Sequence, residues 1–484
     1  MHDVLQMNRL FQCKIKRTHS ANKMNIQRNL KGQHIQGQNF LRISGALYTF
    51  LHSWRCHPKL ILTEETLGLH QKDGQKVDIA RGFTSRVNHI LNNHLGAGVK
   101  ILEFVTSDYN NFNTWRLNSW LKKAVTPGIE EVTLLLSKIN KNKTEYNFPC
   151  SILLDGRGNS IRYLHLTCCA FHPMVGFDCL RSLTKLHLYK VCITGDELGY
   201  LLSSSLALED LKLRCCREII CLKIPFLLKR LSYLRVSECD MLQVIESSAP
   251  NLSTVDLYGE PIQLIFGESS QVKNLKVEYP FEPNVVSYAI SKLPFIVPHL
   301  ETLALDSTCE TVDTPMVAHK FLHLKHLNIY LCSDDEPGSH VYDYLSLVSF
   351  LDAAPALESF ALMVDQDEMK QDTFVGDASA KVEVYGFCSA KSMFELTCHI
   401  LENAASLESL RLDCIFDEAA GSNNVRCAAS KLGKCKSIRR RMVLEAHKAL
   451  NVIKRYIVGR VPSTVKLNVG EPCSRCHTID VEPL

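Results

Sequence analysis

The stretch LTKLHLYKVC, residues 183–192, decides how this chain folds. It reads L-x-x-L-x-L, with Leu183, Leu186 and Leu188, and a cysteine follows shortly after. The same frame recurs at Ile161-Leu164-Leu166, Leu208-Leu211-Leu213, Leu231-Leu234-Val236, Leu252-Val255-Leu257 and Val272-Leu275-Val277. It continues at Leu300-Leu303-Leu305, Leu324-Leu327-Ile329, Leu357-Phe360-Leu362 and Leu407-Leu410-Leu412, and weaker copies stand at Val99-Leu102-Phe104 and Ile129-Val132-Leu134. One such frame says nothing, because leucine is common. A dozen in series, most of them roughly 20 to 33 residues apart, are a repeat.

Each frame is short enough for one strand, whose alternate side chains point to opposite faces. Its apolar residues face a core that a single repeat cannot enclose, so the next repeat must stack on it and the array grows as a solenoid. Between frames the spacing turns helical. Residues 195–205 place Leu198, Leu201 and Leu202 on one helix face, and residues 342–353 place Tyr344, Leu345, Val348 and Leu351 likewise. The expected fold is α/β, a leucine-rich-repeat solenoid with a curved parallel sheet inside and helices outside. A helical remnant precedes it and a helical cap closes its C-terminal end.

The expected organisation is a basic disordered tail over residues 1–40, a short helical segment and exit over 41–69, an N-terminal cap over 70–98, the repeat array over 99–418, and a cap helix and tail over 419–484. Up to Lys59 the only acidic residue is Asp3, against ten Lys and Arg, and the first 40 residues carry no apolar period. That arm is read as a solvated tail, so nucleic acid is not an expected partner. Residues 87–95 have helical spacing and end at Gly96 and Gly98, which suits a segment covering the first repeat. Trp115 and Trp120 are both expected in the core. After Leu357 the next strong frame is at Leu407, and residues 365–377 read as an acidic loop without the ordered ligands of a calcium site. Residues 437–458 form a helical stripe through Ile438, Met442, Ala446, Leu450, Ile453 and Ile457, with Gly459 as the stop.

Of 484 residues 46% are hydrophobic, enough for an extensive core, and the net charge of +4 says little about partners. No apolar run is long enough to span a bilayer, and the first residues lack a signal core, so the expected location is cytoplasm, nucleus or both, without membrane. Twenty cysteines then read as free thiols. Cys168, Cys192, Cys215, Cys239, Cys309, Cys332 and Cys414 each follow a frame closely, as a small buried residue at the turn leaving a strand would. No phosphate loop, zincin helix or nucleophile elbow is present. Cys473-Ser474-Arg475-Cys476-His477 matches a haem-attachment pattern formally, but it stands in a terminal segment with no second C-x-x-C. No catalysis, cofactor or metal is expected.

A resemblance adds to this reading. Residues 53–58, SWRCHP, followed by 64–69, EETLGL, resemble the end of the F-box and its exit in plant F-box/leucine-rich-repeat proteins. The likeness returns at ITGDEL, residues 193–198, at YLSLVSFLDAAP, residues 344–355, and at VPSTVKLN, residues 461–468. It implies the substrate-recognition subunit of an SCF-type E3 ubiquitin ligase, with Leu47, Phe50, Leu51 and Trp54 as what remains of the surface for a Skp-type adaptor. The family's Leu-Pro-containing first F-box helix has no match in residues 1–40. The alternative is therefore a stand-alone protein-interaction module that has lost its adaptor, or a chain whose N-terminus is not the native one.

In the frame L-x-x-L-x-L-x, the third, fifth and seventh positions leave the core for the concave face. Lys185, His187, Tyr189, Lys212, Arg214 and Arg235 line up there as a basic stripe, while later repeats supply Glu278, Asp306 and Asp413. Such a stripe favours an acidic peptide or a phosphorylated ligand. Tyr189, Tyr258 and Tyr330 are the expected aromatic anchors for a protein substrate on this face.

Overall fold

The computed structural model describes residues 57–69, 76–94, 98–106, 114–137, 145–154, 156–267, 271–280, 282–307, 310, 314, 319–332, 342–365, 381–415 and 440–473. The chain divides into two compact units, Met1–Leu231 and Ser232–Leu484. In the first, the elements run β1 Lys59–Leu62, α1 Lys76–Asn93, β2 Ile101–Thr106, α2 Thr114–Ala124, β3 Glu131–Leu136, β4 Tyr146–Asn147, β5 Tyr163–Thr167, β6 Cys169–Ala170, β7 Lys185–Tyr189, α3 Gly195–Ser204, β8 Asp210–Arg214 and β9 Cys221–Ile224. Strands β1, β2, β3, β5, β7 and β8 pair in that order, every pair parallel and in register from frame to frame.

The second unit runs β10 Tyr233–Ser237, β11 Val244–Ser247, β12 Thr254–Tyr258, β13 Gln263–Phe266, β14 Asn274–Glu278, α4 Val285–Ile296, β15 Thr302–Ser307, β16 His326–Cys332, α5 Val348–Ala353, β17 Ser359–Asp365, β18 Lys381–Tyr385, α6 Lys391–Asn403, β19 Ser409–Asp413, α7 Arg440–Val452 and β20 Lys466–Gly470. Here β10, β12 and β14 to β20 form a parallel ladder in chain order. All twelve leucine frames thus carry a strand, in the α/β fold of a leucine-rich-repeat domain.

The second and third apolar positions of each frame point inward and stack on their counterparts. Leu164, Leu186 and Leu211 pair in one row and Leu166, Leu188 and Leu213 in the next, with none more than 1% exposed. Burying each leucine fully is worth about 1.5–3 kcal/mol. The repetition of that gain from repeat to repeat holds the stack together.

The exit from the strands is equally regular. The residue after each of six strands has a positive φ: Cys168 (φ 51°), Lys190 (φ 52°), Cys215 (φ 53°), Glu238 (φ 53°), Gly259 (φ 126°) and Gly386 (φ 74°). For a residue with a Cβ this costs about 1 kcal/mol or more. The turn is fixed by the next repeat: Cys168 N–H donates to Tyr189 O at 3.0 Å, Lys190 N–H to Arg214 O at 2.8 Å, and Glu238 N–H to Tyr258 O at 2.8 Å. Cysteine recurs just past it because the position is small and faces carbonyls. The buried Cys216 thiol lies 3.7 Å from Leu188 O, and Cys239 lies 3.5 Å from Ser237 O. Cys168, Cys215, Cys239 and Cys414 are buried as expected, whereas Cys192 is only partly so.

Several expectations need correction. Helices do not fill every return segment: β11 and β13 pair parallel where helices were expected. From Val255 to Leu275 the register advances only 20 residues, too few for two turns and a helix besides a strand. The array does not stop at residue 418, because β20 pairs with β19, and it begins before residue 99, because β1 pairs with β2. Of the two tryptophans Trp120 is 3% exposed and packs on Phe104 and Phe83, but Trp115 is 63% exposed. Helix α1 does cover the first repeats, burying Phe83, Val87, Ile90 and Leu91. Helix α3 starts where Thr194 and Glu197 form a reciprocal capping box. Leu47, Phe50, Leu51, Trp54, the basic tail, most of the acidic loop, Cys476 and His477 lie outside the described residues.

Candidate protein-binding surface

The polar positions of β5, β7 and β8 form three rows across the first unit. Tyr163, Lys185 and Asp210 are register partners, as are His165, His187 and Lys212, and Thr167, Tyr189 and Arg214. Neighbouring strands are about 4.8 Å apart, so each row is a line of adjoining side chains. The pattern therefore brings five of the predicted residues together, Lys185, His187, Tyr189, Lys212 and Arg214. Arg235 and Tyr258 stand on β10 and β12 of the second unit.

The first-unit rows are wired to each other. Tyr163 Oη lies 3.3 Å from His165 Nδ1 and 3.2 Å from His187 Nδ1, and the His187 and Tyr163 rings meet edge to face at 5.1 Å. His187 Nε2 is 3.2 Å from Asp210 Oδ2, and Lys212 Nζ is 3.4 Å from the same oxygen. Burial raises the Asp210 carboxyl, but His187 and Lys212 outweigh it and hold the group below the usual carboxylate range. His165 is pushed down to about 4, first by burial and then by His187 and Lys212, so it is neutral at physiological pH. Burial raises the Tyr163 hydroxyl, helped by Asp210 and Glu131. At the far end of the strands, Arg214 and Lys190 lie over the Tyr189 ring, 5.2 and 5.0 Å from its centroid. Lys185, Lys190 and Arg214 are exposed.

The second unit is different. Arg235 is exposed and register-paired with Asp256, whose Oδ2 accepts a 2.5 Å hydrogen bond from Tyr233 Oη. Tyr258 is half-buried between Ser237 and Glu278. Tyr330 is 8% exposed between Asp306 and Met363 and offers little surface to an anchor's role. The acidic residues expected on the later face are buried too: Glu278, Asp306 and Asp413 are 9%, 7% and 4% exposed. Each has company, Lys276 with Glu278, Glu278 beside Asp306, and Arg411 3.5 Å from Asp413. Arg411 also lies 4.9 Å from the centroid of the Tyr385 ring, a second cation on a seventh-position tyrosine.

Asp210, Tyr163 and Lys190 escaped the sequence reading. The first two occupy the third position, where only Lys185 was singled out, and Lys190 follows the frame in the left-handed turn. A full column of third positions would have shown the tyrosine and the carboxylate flanking Lys185.

Among the described residues no three His, Cys, Asp or Glu side chains converge as metal ligands. No helix among them is long and apolar enough to cross a membrane. The thiols of Cys150, Cys169, Cys179 and Cys192 are all raised by burial, Cys150 to about 11, so they are protonated rather than nucleophilic. What the strand face offers is a wide polar sheet with fixed cations and rings, which is the chemistry of recognition. No match is found among curated proteins. The family described as "At1g61320/AtMIF1, LRR domain" matches residues 90–474, from α1 to just beyond β20. That span takes in nearly all of the described ladder, and the chain belongs to this leucine-rich-repeat domain family.

Proposed function

We propose that this leucine-rich-repeat protein is the substrate-recognition subunit of an SCF-type E3 ubiquitin ligase, holding its target on the polar face of the strands. The domain is a protein-binding scaffold; the ligase assignment is the finer step. The observation that carries the binding reading is the β5–β8 face of the first unit. There Lys185, His187, Tyr189, Lys212 and Arg214 stand in register on a rigid sheet. Side chains pre-positioned this way bind at a lower ordering cost than side chains on a free loop. Support for the ligase step comes from the F-box-like phrases of residues 53–69 and from Leu47, Phe50, Leu51 and Trp54, the remnant of an adaptor surface. On this reading the chain is not itself catalytic and works in the cytoplasm, the nucleus or both.

Co-purification of the full chain with a Skp-type adaptor tests the ligase step. A stable complex that is lost in Trp54→Ala supports it. No complex at micromolar concentrations removes it and leaves the stand-alone interaction module.

A further inference from the structure

We propose that the strand face of β5, β7 and β8 docks an extended, Asp- and Glu-rich segment of the partner protein, with Lys185, Lys190, Lys212 and Arg214 as its counter-charges. The inference rests on the protein-binding reading above and names the chemistry of the partner.

Charge comes first. Along β5, β7, β8 and the residue that follows each, the charged side chains are those four cations and the single carboxylate of Asp210. Asp210 is already shared between His187 and Lys212. The face is therefore strongly positive over three adjacent strands, and complementary charge in a partner speeds and orients its docking.

Spacing separates a peptide from a small anion. Lys185 and Lys190 mark the two ends of β7, about 16 Å apart at about 3.3 Å per residue. A lone phosphate group, bound through hydrogen bonds under about 3 Å, reaches one end or the other. An extended peptide carries same-side side chains about 6.8 Å apart, so two or three of its carboxylates cover the whole distance.

The floor between the cations suits a peptide too. Tyr163, His165 and His187 form a cluster of rings with centroids 5.1 to 6.1 Å apart, and neutral His165 adds no charge to it. Tyr189 holds Lys190 and Arg214 against its ring, so those cations lose little freedom when a carboxylate arrives. Lys190 is set by its left-handed backbone and by the bond from its N–H to Arg214 O at 2.8 Å.

The test uses the full chain and three fluorescein-labelled octapeptides with Glu, Gln or Lys at alternate positions, followed by anisotropy at low and high salt. A single-stranded RNA of equal charge runs alongside. The partnered variant is Lys185→Gln with Lys190→Asn, the asparagine chosen because it tolerates the left-handed turn. Lys229→Gln, outside the strands, is the control. Circular dichroism verifies that each variant is folded.

The Glu peptide is expected to bind at least tenfold more tightly than the Gln and Lys forms. The double variant should weaken it about tenfold or more and flatten its salt dependence, with Lys229→Gln unchanged. Equal binding of Glu and Gln forms, or a double variant as good as the parent, overturns the acidic-segment assignment while protein binding survives. RNA binding more tightly through the same lysines overturns it in favour of a nucleic acid. If no peptide of any charge binds, the protein-binding reading of this face falls as well.

Discussion

Asp306 offers a quantitative handle on the second unit. It sits on β15, 7% exposed, register-paired with Glu278 of β14. Burial first, and then the Glu278 charge, raise its carboxyl from an ordinary 3.8 to about 7, with Lys276 pulling the other way. Each tenfold change in proton affinity corresponds to about 1.4 kcal/mol, so the ionised group costs the folded state on the order of 4 kcal/mol. The sign follows from proton counts. Between pH 3.8 and about 7 the folded chain holds a proton here that the unfolded chain has lost, so stability falls as pH rises through that window. Asp306→Asn keeps the shape and removes the titration. Thermal midpoints of parent and variant from pH 3 to pH 8 give the readout as a difference, which cancels the titrating groups that do not face Asp306. The two should melt together at pH 3, with the variant gaining from about pH 4 to about pH 7 by the equivalent of a few kcal/mol and the gap staying level beyond. A gap that stays constant with pH, or one that grows in the parent's favour, would refute the burial argument.

Two further outcomes follow from the first unit's rings and from the strand exits. His165 should remain neutral in an imidazole NMR titration down to about pH 5, because burial, then His187 and Lys212, hold it at about 4. Its contribution to stability is complete above the ordinary histidine value of 6.5 and disappears as pH falls towards 4, and Lys212→Gln should move its titration upward. Gly386 has φ 74°, and a Cβ there would run into the Val364 carbonyl oxygen, so Gly386→Ala should destabilise the chain by about 1–3 kcal/mol. A denaturant midpoint unchanged by that substitution would remove the turn from the account.

Where the leucine frame is complete, it locates its strand and assigns the inward and outward faces. Leu183, Leu186 and Leu188 are all buried, while Lys185, His187 and Tyr189 between and after them keep contact with solvent. Strands went unread where the frame is broken. Before Val382 and Val384 of β18 the leading position is Ser379, and before Leu467 and Val469 of β20 it is Thr464. The leading apolar residue lies outside the strand itself, so its loss leaves the pairing intact while removing the visible signature. Strands β11 and β13 were hidden for another reason: VIES and QLIF are too short for any period to show. The binding face was legible as a list of positions but not as a network. That His187 joins Tyr163 to Asp210, and that Tyr189 gathers Lys190 and Arg214, depends on which strands are neighbours. Exposure along the face was also beyond the pattern, since Tyr258 and Tyr330 share a position yet one is half-buried and the other buried.

The central claim is that adjacent residues of one strand point to opposite sides of the sheet, with the leucines of each frame packed into the core. Glutamine substitutions at neighbouring positions test it most directly: Leu186→Gln against Lys185→Gln in the first unit, and Leu327→Gln against Asn328→Gln in the second. Both leucines are 0% exposed, so each loses its buried packing and leaves an amide without water, and the measured unfolding free energy should drop by about 3 kcal/mol or more. The outward neighbours should change it by no more than about 0.5 kcal/mol. Equal losses within either pair would contradict the stacked-strand account.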